Sequence, residues 1–181
     1  MTRVGMDRLG FIKRAAGTVA AAVGFPYVVP SSVFAQGGQT PPSERITLGF
    51  IGCGKQSQHL TRSFLNSPGT HVVAACDVDK LKLARNKKIV EDHYAGKSGA
   101  SYKGCDTYGD FRELLARSDI DAVVISTPDH WHAIGVIESC KAGKDIYCEK
   151  PLSQTVAEAR AMVNAVRKYD RVFQTLSLIH I

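Results

Sequence analysis

Short apolar runs alternate with longer mixed segments between residues 45 and 176, and this pattern predicts strands separated by helices. The predicted strands are Ile46–Ile51, His71–Cys76, Ala122–Ser126, Asp145–Cys148 and Val172–Thr175. The predicted helices run from the turn after the first strand to about Phe64 or Asn66, from Val78 to about Tyr94, from Asp110 onward, from His130 to Ala142, and from Thr155 to about Tyr169. Residues 95–104 are predicted to form a loop. The alternation predicts an α/β fold with a doubly wound, largely parallel sheet.

Capping residues indicate where two of the later helices begin. Thr155 with Glu158 matches the capping-box pattern, in which each residue satisfies a backbone N–H of the other. Asp129 is predicted to cap the helix from His130 to Ala142, and Gly143 is predicted to end it.

A glycine turn follows the first predicted strand and opens a helix. Gly52 allows a tight turn, and Gly54 has no Cβ, so a pyrophosphate can approach the backbone there. The helix after the turn directs its free N–H groups and its positive dipole end at such a phosphate. The residues predicted to bind a cofactor here are Gly52, Gly54, Lys55, Gln56 and Ser57. Ser57 stands where the G-x-G-x-x-G pattern has its third glycine.

The second predicted strand ends on Asp77, as the dinucleotide-binding pattern requires. A carboxylate there can accept hydrogen bonds from the adenosine ribose, and it would repel a 2′-phosphate. The order of strand, glycine turn, helix, strand and acid therefore predicts a Rossmann-type domain that binds NAD in preference to NADP. The alternative is an ordinary strand–helix turn in which Asp77 only caps the next helix.

Composition and charge narrow the classes of function. The chain has 181 residues and a net charge of +6, part of which comes from the amino-terminal segment. Because no basic stripe stands out, nucleic-acid binding is not expected. The five cysteines are odd in number and lack C-x-x-C spacing, so they are predicted to be small buried hydrophobic residues rather than a disulfide framework.

The amino-terminal segment has the three regions of a secretory signal, and residues 1–35 are predicted to form one. Its apolar run is too short and too broken to be a stable membrane span. The stretch at residues 8–13 resembles the twin-arginine export signal, with Leu9 in the place of the second arginine. A periplasmic or secreted location is therefore expected, with ordinary secretion or an uncleaved anchor as alternatives. Residues 36–44 are predicted to form a linker before a domain at residues 45–176.

The segment Ser126-Thr127-Pro128-Asp129-His130-Trp131-His132 directly follows a predicted strand. Pro128 stiffens the turn and is expected to place Thr127 over the nucleotide. Two histidines two positions apart on a helix point to opposite sides, so a shared metal ion is not expected. His132 is expected to pack near the nicotinamide or the substrate, or else to be a surface histidine or a satisfied core histidine.

Cys148-Glu149-Lys150-Pro151-Leu152 follows the next predicted strand. A lysine at a strand end, flanked by an acid and a proline, is well placed for proton transfer. The residues alone leave a second interpretation equally open, in which Lys150 is a surface lysine paired with Glu149.

Four motifs occur together in a characteristic order and spacing: G-C-G at residues 52–54, C-D-V-D at 76–79, S-T-P-D-H-W-H-A at 126–133 and E-K-P-L at 149–152. Together they resemble the Gfo/Idh/MocA family, which includes glucose–fructose oxidoreductase and inositol 2-dehydrogenase. The resemblance extends from about Glu44 to Thr175.

The resemblance implies a Rossmann domain that binds NAD(P), followed by a second α/β domain, and oxidation or reduction of a sugar or polyol hydroxyl. It implies that Lys150 contacts the substrate and is catalytic. The cofactor-binding residues that it adds are Asp77 at the adenosine ribose, Thr127 and Pro128 along the nucleotide, and His132 and Glu149 beside the nicotinamide.

Family members are about twice as long, and the second domain supplies most of their substrate pocket. The ending at residues 177–181 does not resemble the family's continuation, so the second domain is expected to be absent from this chain, and oligomers are expected only with it. The leading hypothesis is the cofactor domain of an exported NAD-dependent sugar or polyol dehydrogenase. The alternatives are an NAD-retaining glycosidase of the same family and a non-catalytic cofactor-binding fragment.

Overall fold

The computed structural model describes residues 40–176. The predicted leader (residues 1–35), the first part of the predicted linker and the tail at residues 177–181 lie outside the described residues. The domain predicted at residues 45–176 lies within them.

Six strands form one parallel sheet: β1 (Ile46–Ile51), β2 (Thr70–Cys76), β3 (Asp106–Tyr108), β4 (Ala122–Ile125), β5 (Asp145–Cys148) and β6 (Phe173–Thr175). Their spatial order is β3-β2-β1-β4-β5-β6, and every neighbouring pair runs parallel. The direction of winding reverses between β1 and β4, where folds of this kind bind a dinucleotide. The predicted α/β, Rossmann-type, doubly wound sheet is confirmed.

Five α-helices connect the strands: α1 (Lys55–Leu65), α2 (Lys80–Ser98), α3 (Phe111–Leu115), α4 (His132–Lys141) and α5 (Val156–Lys168). The capping box predicted for α5 is confirmed. Glu158 N donates to Thr155 Oγ1 at 3.1 Å, and Thr155 N donates to Glu158 Oε2 at 3.1 Å. Each residue thus satisfies an N–H group that the first turn leaves free.

Both faces of the sheet are covered, because alternate residues of each central strand pack on opposite sides. On β4, Val123 and Ile125 belong to one buried cluster, whereas Val124 belongs to the other. Leu48 and Phe50 of β1 lie in the same cluster as Val124. This two-sided burial explains why β4 is a continuous β-branched run rather than an alternating one.

The carboxyl ends of four strands meet at one edge of the sheet. Ile51 at the end of β1 pairs with Cys76 of β2 on one side and with Ile125 of β4 on the other. Ile125 in turn pairs with Cys148 of β5. The loops that carry the glycine turn, the acid and the two later motifs therefore emerge next to one another.

Between α2 and α3, one expectation is wrong and one strand is not predicted. Residues 95–98, predicted as loop, form the last turn of α2, which ends where Gly99 adopts a left-handed φ of 68°. The strand β3 is not predicted by the apolar pattern, because it has three residues and none of them is buried. Pairing with β2, rather than burial of its own side chains, holds β3 in the sheet.

The predicted cap of α4 is also wrong. The helix begins at His132 with no side-chain hydrogen bond at its N-cap, Trp131. A 3₁₀ turn at Asp129–Trp131 comes first, because Trp131 N donates to Pro128 O at 3.0 Å. The Asp129 carboxylate accepts from His130 N at 2.8 Å within that turn.

All five cysteines are buried and free, which confirms their predicted role as small core residues. In the described part of the chain, no helix is both long and apolar enough to cross a membrane.

Candidate functional site

A cavity of about 540 Å³ opens at the carboxyl ends of β1, β2 and β4. Seven of the residues predicted to bind a cofactor line it: Gly52, Gly54, Lys55, Gln56, Asp77, Thr127 and Pro128. The cavity spans the reversal point of the sheet, so it has both the place and the residues that a dinucleotide requires.

Gly52 is needed for the turn, and also because the backbone of Ser126 and Thr127 lies very close to it. Its φ is +90°, and a Cβ built there would lie 2.7 Å from Thr127 N and 2.8 Å from the carbonyl of Ser126. Ser126 Oγ also donates to Gly52 O at 2.9 Å. The glycine turn and the loop after β4 are therefore in direct contact, and a side chain at residue 52 would separate them.

Gly54 differs from Gly52, because a Cβ at this position meets no protein atom within 4 Å. It is the N-cap of α1, and no side chain caps the helix there. The first N–H groups of α1 thus lack a protein side chain as acceptor, and Gly54, Lys55 and Gln56 line the cavity. This open space beside an uncapped helix terminus fits a pyrophosphate group.

Asp77 links the glycine turn to the start of the second crossover. Its Oδ2 accepts from Cys53 N at 2.7 Å, and its Oδ1 accepts from Asp79 N at 2.8 Å. Asp79, not Asp77, caps α2 by accepting from Leu81 N and Lys82 N. The interpretation of Asp77 as a helix cap is therefore wrong. Each carboxylate oxygen has a second acceptor position, and the side chain lines the cavity, so a ribose hydroxyl can still donate to it.

Ser57 is fully buried and does not line the cavity. Its hydroxyl accepts from Asn86 Nδ2 of α2 at 3.2 Å. Thr61 Oγ1 donates to Ser57 O at 2.8 Å and lies 3.1 Å from Asn86 Oδ1. The serine at the third glycine position thus takes part in a buried polar network between α1 and α2.

Thr127 and Pro128 form the wall of the cavity beyond the glycine turn, together with Trp131, which is 45% exposed. Thr127 Oγ1 is buried and has no hydrogen-bond partner within the described residues. A buried hydroxyl of this kind is a ready partner for a polar group of a bound ligand.

His132 is only 1% exposed and does not line the cavity. Its Nδ1 lies 2.7 Å from Pro151 O, and its Nε2 lies 2.9 Å from Thr127 O. Both ring nitrogens therefore face carbonyl oxygens of two different loops. Of the expectations for His132, the geometry matches the satisfied core histidine.

Glu149 and Lys150 follow β5, next to the end of β4. Glu149 is 4% exposed, its Oε2 accepts from Lys150 N at 3.1 Å, and its Oε1 has no partner among the described residues. The Lys150 side chain is exposed, and no ion pair with Glu149 occurs in the part of the chain that the structure describes. Neither residue lines the cavity, so their roles beside the nicotinamide and the substrate stay predictions.

The buried thiols of Cys53 and Cys148 are not expected to act as nucleophiles. Burial raises the pKa of Cys53 to about 12, and nearby Asp77 adds to the effect. Burial likewise raises the pKa of Cys148 to about 12, with a further contribution from Glu149. Thiols with such pKa values stay protonated and unreactive near neutral pH.

The cavity also has a wall that the sequence interpretation missed, formed by Asp110, Phe111 and Arg112 after β3 and by Val78 after Asp77. The Arg112 guanidinium lies 4.7 Å from the centre of the Phe111 ring and pairs with Asp110 at 3.1 Å. The signal that could have found this wall is the strand order of the fold, which places a third strand beside β2.

His130 and His132 lie in different environments. His130 is exposed and lies 3.7 Å from Asp129, whereas His132 is buried. Among residues 40–176, no group of three or more His, Cys, Asp or Glu side chains is placed to hold a metal ion.

Residues 46–177 match the sequence model of the Gfo/Idh/MocA group, described as an oxidoreductase family with an NAD-binding Rossmann fold. The chain belongs to this family. The resemblance inferred from the motifs is confirmed, and so is NAD as the cofactor of the domain.

The chain is similar to a glycosyl hydrolase family 109 protein from Shewanella sp. strain ANA-3, with 32% identity over 92% of this chain and 38% of that protein. Among solved structures, it is similar to myo-inositol 2-dehydrogenase from Lactobacillus plantarum (25% identity, TM-score 0.62, covering 73% of this chain and 36% of that one). An NAD-binding oxidoreductase from Klebsiella pneumoniae gives 29% identity and a TM-score of 0.58, covering 73% of this chain and 34% of that one. The chain thus spans little more than a third of each relative's length.

Proposed function

We propose that this chain is the NAD-binding domain of an enzyme that oxidises a hydroxyl group of a sugar or polyol. The observation that carries the proposal is the arrangement of strand ends, which places the cavity of the glycine turn and Asp77 beside the loop that holds Lys150. A dinucleotide site and a proton-accepting amine on adjacent strands are the two parts that alcohol oxidation requires.

Different residues along the cavity bind different parts of the dinucleotide. The uncapped start of α1 and the open space at Gly54 receive the pyrophosphate, and Asp77 receives the adenosine ribose. On the other side of the glycine turn, Thr127, Pro128 and Trp131 form the wall for the nicotinamide half. NAD, when bound, supplies the hydride acceptor for the carbon that bears the reacting hydroxyl.

In this proposal Lys150, in its neutral amine form, takes the hydroxyl proton at its Nζ atom. Its side chain is exposed on the edge of the sheet where the strand ends meet, and no carboxylate pairs with it among the described residues. The backbone N–H of Lys150 donates to the carboxylate of Glu149, the buried residue that precedes it in the chain. An amine without a carboxylate partner suits a general base better than one held in a surface ion pair does.

A sugar or polyol as substrate is supported by the named relatives. Myo-inositol 2-dehydrogenase, at 25% identity, acts on a cyclic polyol by its name. The glycosyl hydrolase family 109 protein, at 32% identity, is named for carbohydrate chemistry.

A second candidate is a glycosidase that retains NAD, and the similarity to a glycosyl hydrolase family 109 protein favours it. Such an enzyme would release an aglycone without net formation of NADH. Both candidates use the same cavity and the same lysine, so the two are separated by their products.

Export of the protein is a further part of the proposal. The match to the Shewanella protein covers 92% of the chain, whereas the domain match ends at residue 177 and begins at residue 46. Most of the matched length beyond residues 46–177 therefore precedes the domain, where the basic and apolar regions of the predicted leader lie. Replacing Arg8 with Gln should retain the protein in the cytoplasm of cells that express it, as fractionation would detect.

The test of the proposed function uses the natural protein that carries this domain. It is assayed for NADH formation with a panel of sugars and polyols, and for release of the chromophore from chromogenic glycosides. Lys150→Met should abolish either activity, while Lys141→Met, which removes an exposed lysine paired with Glu138 on α4, should leave it intact. A protein that binds NADH but turns over no substrate in either assay would contradict the proposal.

A further inference from the structure

We propose that His132 is a positioning residue that couples the loop after β4 to the loop that carries Lys150. This inference rests on the proposed function for its consequence, but the coupling itself is a property of the fold. His132 Nδ1 lies 2.7 Å from Pro151 O, and His132 Nε2 lies 2.9 Å from Thr127 O. One buried ring thus spans the loop at Thr127, which lines the cavity, and the loop at Pro151, which follows β5.

Few other contacts hold the Lys150 loop in place. The ladder between β4 and β5 ends where Glu149 N donates to Ile125 O at 2.9 Å. Lys150 N donates only to Glu149, its own neighbour in the chain, so that bond does not tie the loop to another element. The next polar contact to another element is the one between His132 and Pro151 O.

The other polar contact between the two loops is weaker. Gln154 Nε2 donates to Asp129 Oδ1 at 3.4 Å, and both side chains are at the surface. Beyond Pro151, the partly buried Leu152 side chain packs on the core. The His132 ring therefore provides the buried, directional link, whereas Leu152 provides apolar contact only.

The chemistry of the ring suits this task. Carbonyl oxygens only accept hydrogen bonds, so the imidazole must donate to hold them. A neutral ring carries one N–H and donates to one carbonyl, whereas a protonated ring donates to both. Both distances are in the range of hydrogen bonds, so the ring lies between Thr127 and Pro151 and donates to at least one of their carbonyls.

The consequence concerns the position of Lys150 relative to Thr127. Pro151 O is one residue from Lys150, and Thr127 lines the cavity. By fixing these two points against each other, His132 sets where the lysine begins in relation to the nicotinamide. His132 acts through its neighbours and touches neither cofactor nor substrate.

The coupling is tested by amide hydrogen exchange in the cofactor-free chain, with three variants. His132→Phe keeps the size of the ring and removes both donors, and His132→Gln keeps one amide donor. Val136→Ala is the matched control, because Val136 is fully buried in the same helix and its side chain has no hydrogen-bonding group. Exchange at Glu149 and Lys150 is followed alongside exchange in β1 and the melting temperature.

We expect His132→Phe to accelerate exchange at Glu149 and Lys150 by tenfold or more, and His132→Gln to accelerate it less. Val136→Ala should lower the melting temperature without this local effect. Equal acceleration in the His132→Phe and Val136→Ala proteins, or none in either His132 variant, would overturn the proposal.

Two further measurements decide the proposal even if a His132 variant fails to fold or the proposed function is wrong. In the unaltered chain, a slowly exchanging ring N–H proton of His132 should appear in the NMR spectrum, and its absence would overturn the coupling. In the His132→Phe protein, NADH affinity should fall at least threefold while ADP-ribose affinity is unchanged, because ADP-ribose lacks the nicotinamide. An equal fall for both ligands would overturn the positioning role. If the unaltered chain binds neither ligand, the cofactor assignment fails, and the exchange data still decide the coupling.

Discussion

Asn86 of α2 donates its side-chain amide to the hydroxyl of Ser57 of α1 at 3.2 Å, and both side chains are fully buried. The pair explains the departure from the glycine pattern at this position. A third glycine allows close helix packing by having no side chain, whereas Ser57 meets the neighbouring helix through a hydrogen bond. The Ser57 side chain is therefore part of the contact between the two helices and does not line the cavity.

Replacing Ser57 with Ala should destabilise the domain while leaving cofactor binding intact. The change leaves the buried Asn86 amide without its acceptor, which costs about 1–3 kcal/mol. Urea unfolding measures the loss, and an NADH titration checks the affinity. Ser63→Ala, on the exposed face of the same helix, is the control and should change neither. A large loss of NADH affinity in the folded Ser57→Ala protein would show that Ser57 contacts the cofactor after all.

Gly52 and Gly54 should respond in opposite ways to an added methyl group. Gly52→Ala places a Cβ 2.7 Å from Thr127 N at a φ of +90°, so it should lower the free energy of unfolding by about 1–3 kcal/mol or more. Gly54→Ala meets no protein atom within 4 Å and has a φ of −67°, so the domain should remain stable.

The Gly54→Ala protein should nevertheless bind NADH about tenfold more weakly or worse. The added methyl group displaces the pyrophosphate from the first N–H groups of α1, and hydrogen bonds to charged groups are worth about 1.5–3 kcal/mol. Thermal unfolding and NADH titration of both glycine variants test the pair. Full NADH affinity in the Gly54→Ala protein would contradict the placement of the pyrophosphate.

Asp77 should govern both cofactor preference and stability. Asp77→Asn removes the charge that repels a 2′-phosphate, so the preference for NADH over NADPH should fall by about tenfold or more. It also turns an NH₂ group toward Cys53 N or Asp79 N, each of which now donates to a carboxylate oxygen, so stability should fall as well.

Asp79→Ala is the matched control for Asp77→Asn. It removes the cap of α2 and should lower the free energy of unfolding, with the NADH preference unchanged. Fluorescence titrations with both dinucleotides, combined with urea unfolding, separate the two effects. If Asp79→Ala also altered the preference, the assignment of specificity to Asp77 would be wrong.

The stability of the domain should fall in mild acid because of His71. Burial lowers the pKa of His71 below its ordinary value of 6.5, and nearby Arg45 lowers it further. The unfolded chain therefore binds a proton more readily than the folded one, so stability is fully present above pH 6.5 and is lost as the pH falls through the lowered pKa. His93, whose pKa is lowered by burial and by Lys97, contributes in the same direction.

Urea unfolding as a function of pH measures this effect. His71→Phe, which retains an aromatic ring beside Tyr94, should reduce the loss of stability in acid. Ser63→Ala, which alters an exposed residue of α1 that does not titrate, should leave the pH profile as it is. An identical profile for the His71→Phe protein and the unaltered chain would exclude His71 as the cause.

The sequence was sufficient to predict those cavity residues whose role follows from their position at the end of a strand. Gly52, Asp77 and Thr127 each follow an apolar strand, and parallel strands bring such ends together. Which loop side chains are buried could not be predicted in this way. His132, Ser57 and Glu149 lie in the same segments, yet their side chains are buried. Their burial depends on contacts with residues distant in the chain, such as Asn86 for Ser57 and Pro151 for His132.

The wall at Asp110–Arg112 was missed for a different physical reason. The strand that precedes it, β3, has three residues, and its side chains are exposed or half-buried. Backbone pairing with β2 defines it, and Asp77 N donates to Tyr108 O at 3.2 Å just beyond the strand. The pattern of apolar residues along the chain does not reveal a strand that is held by backbone pairing alone.

The central claim, that the cavity beneath the glycine turn holds NAD, is tested most directly by titrating the full 181-residue chain with NADH and with NADPH. Trp131 is the only tryptophan and lines the cavity, so its fluorescence reports binding at the nicotinamide end. Quenching or energy transfer at lower concentrations of NADH than of NADPH, and its loss in the Gly54→Ala protein, is the predicted result. A chain with a folded circular-dichroism spectrum and no response to either dinucleotide would contradict the account.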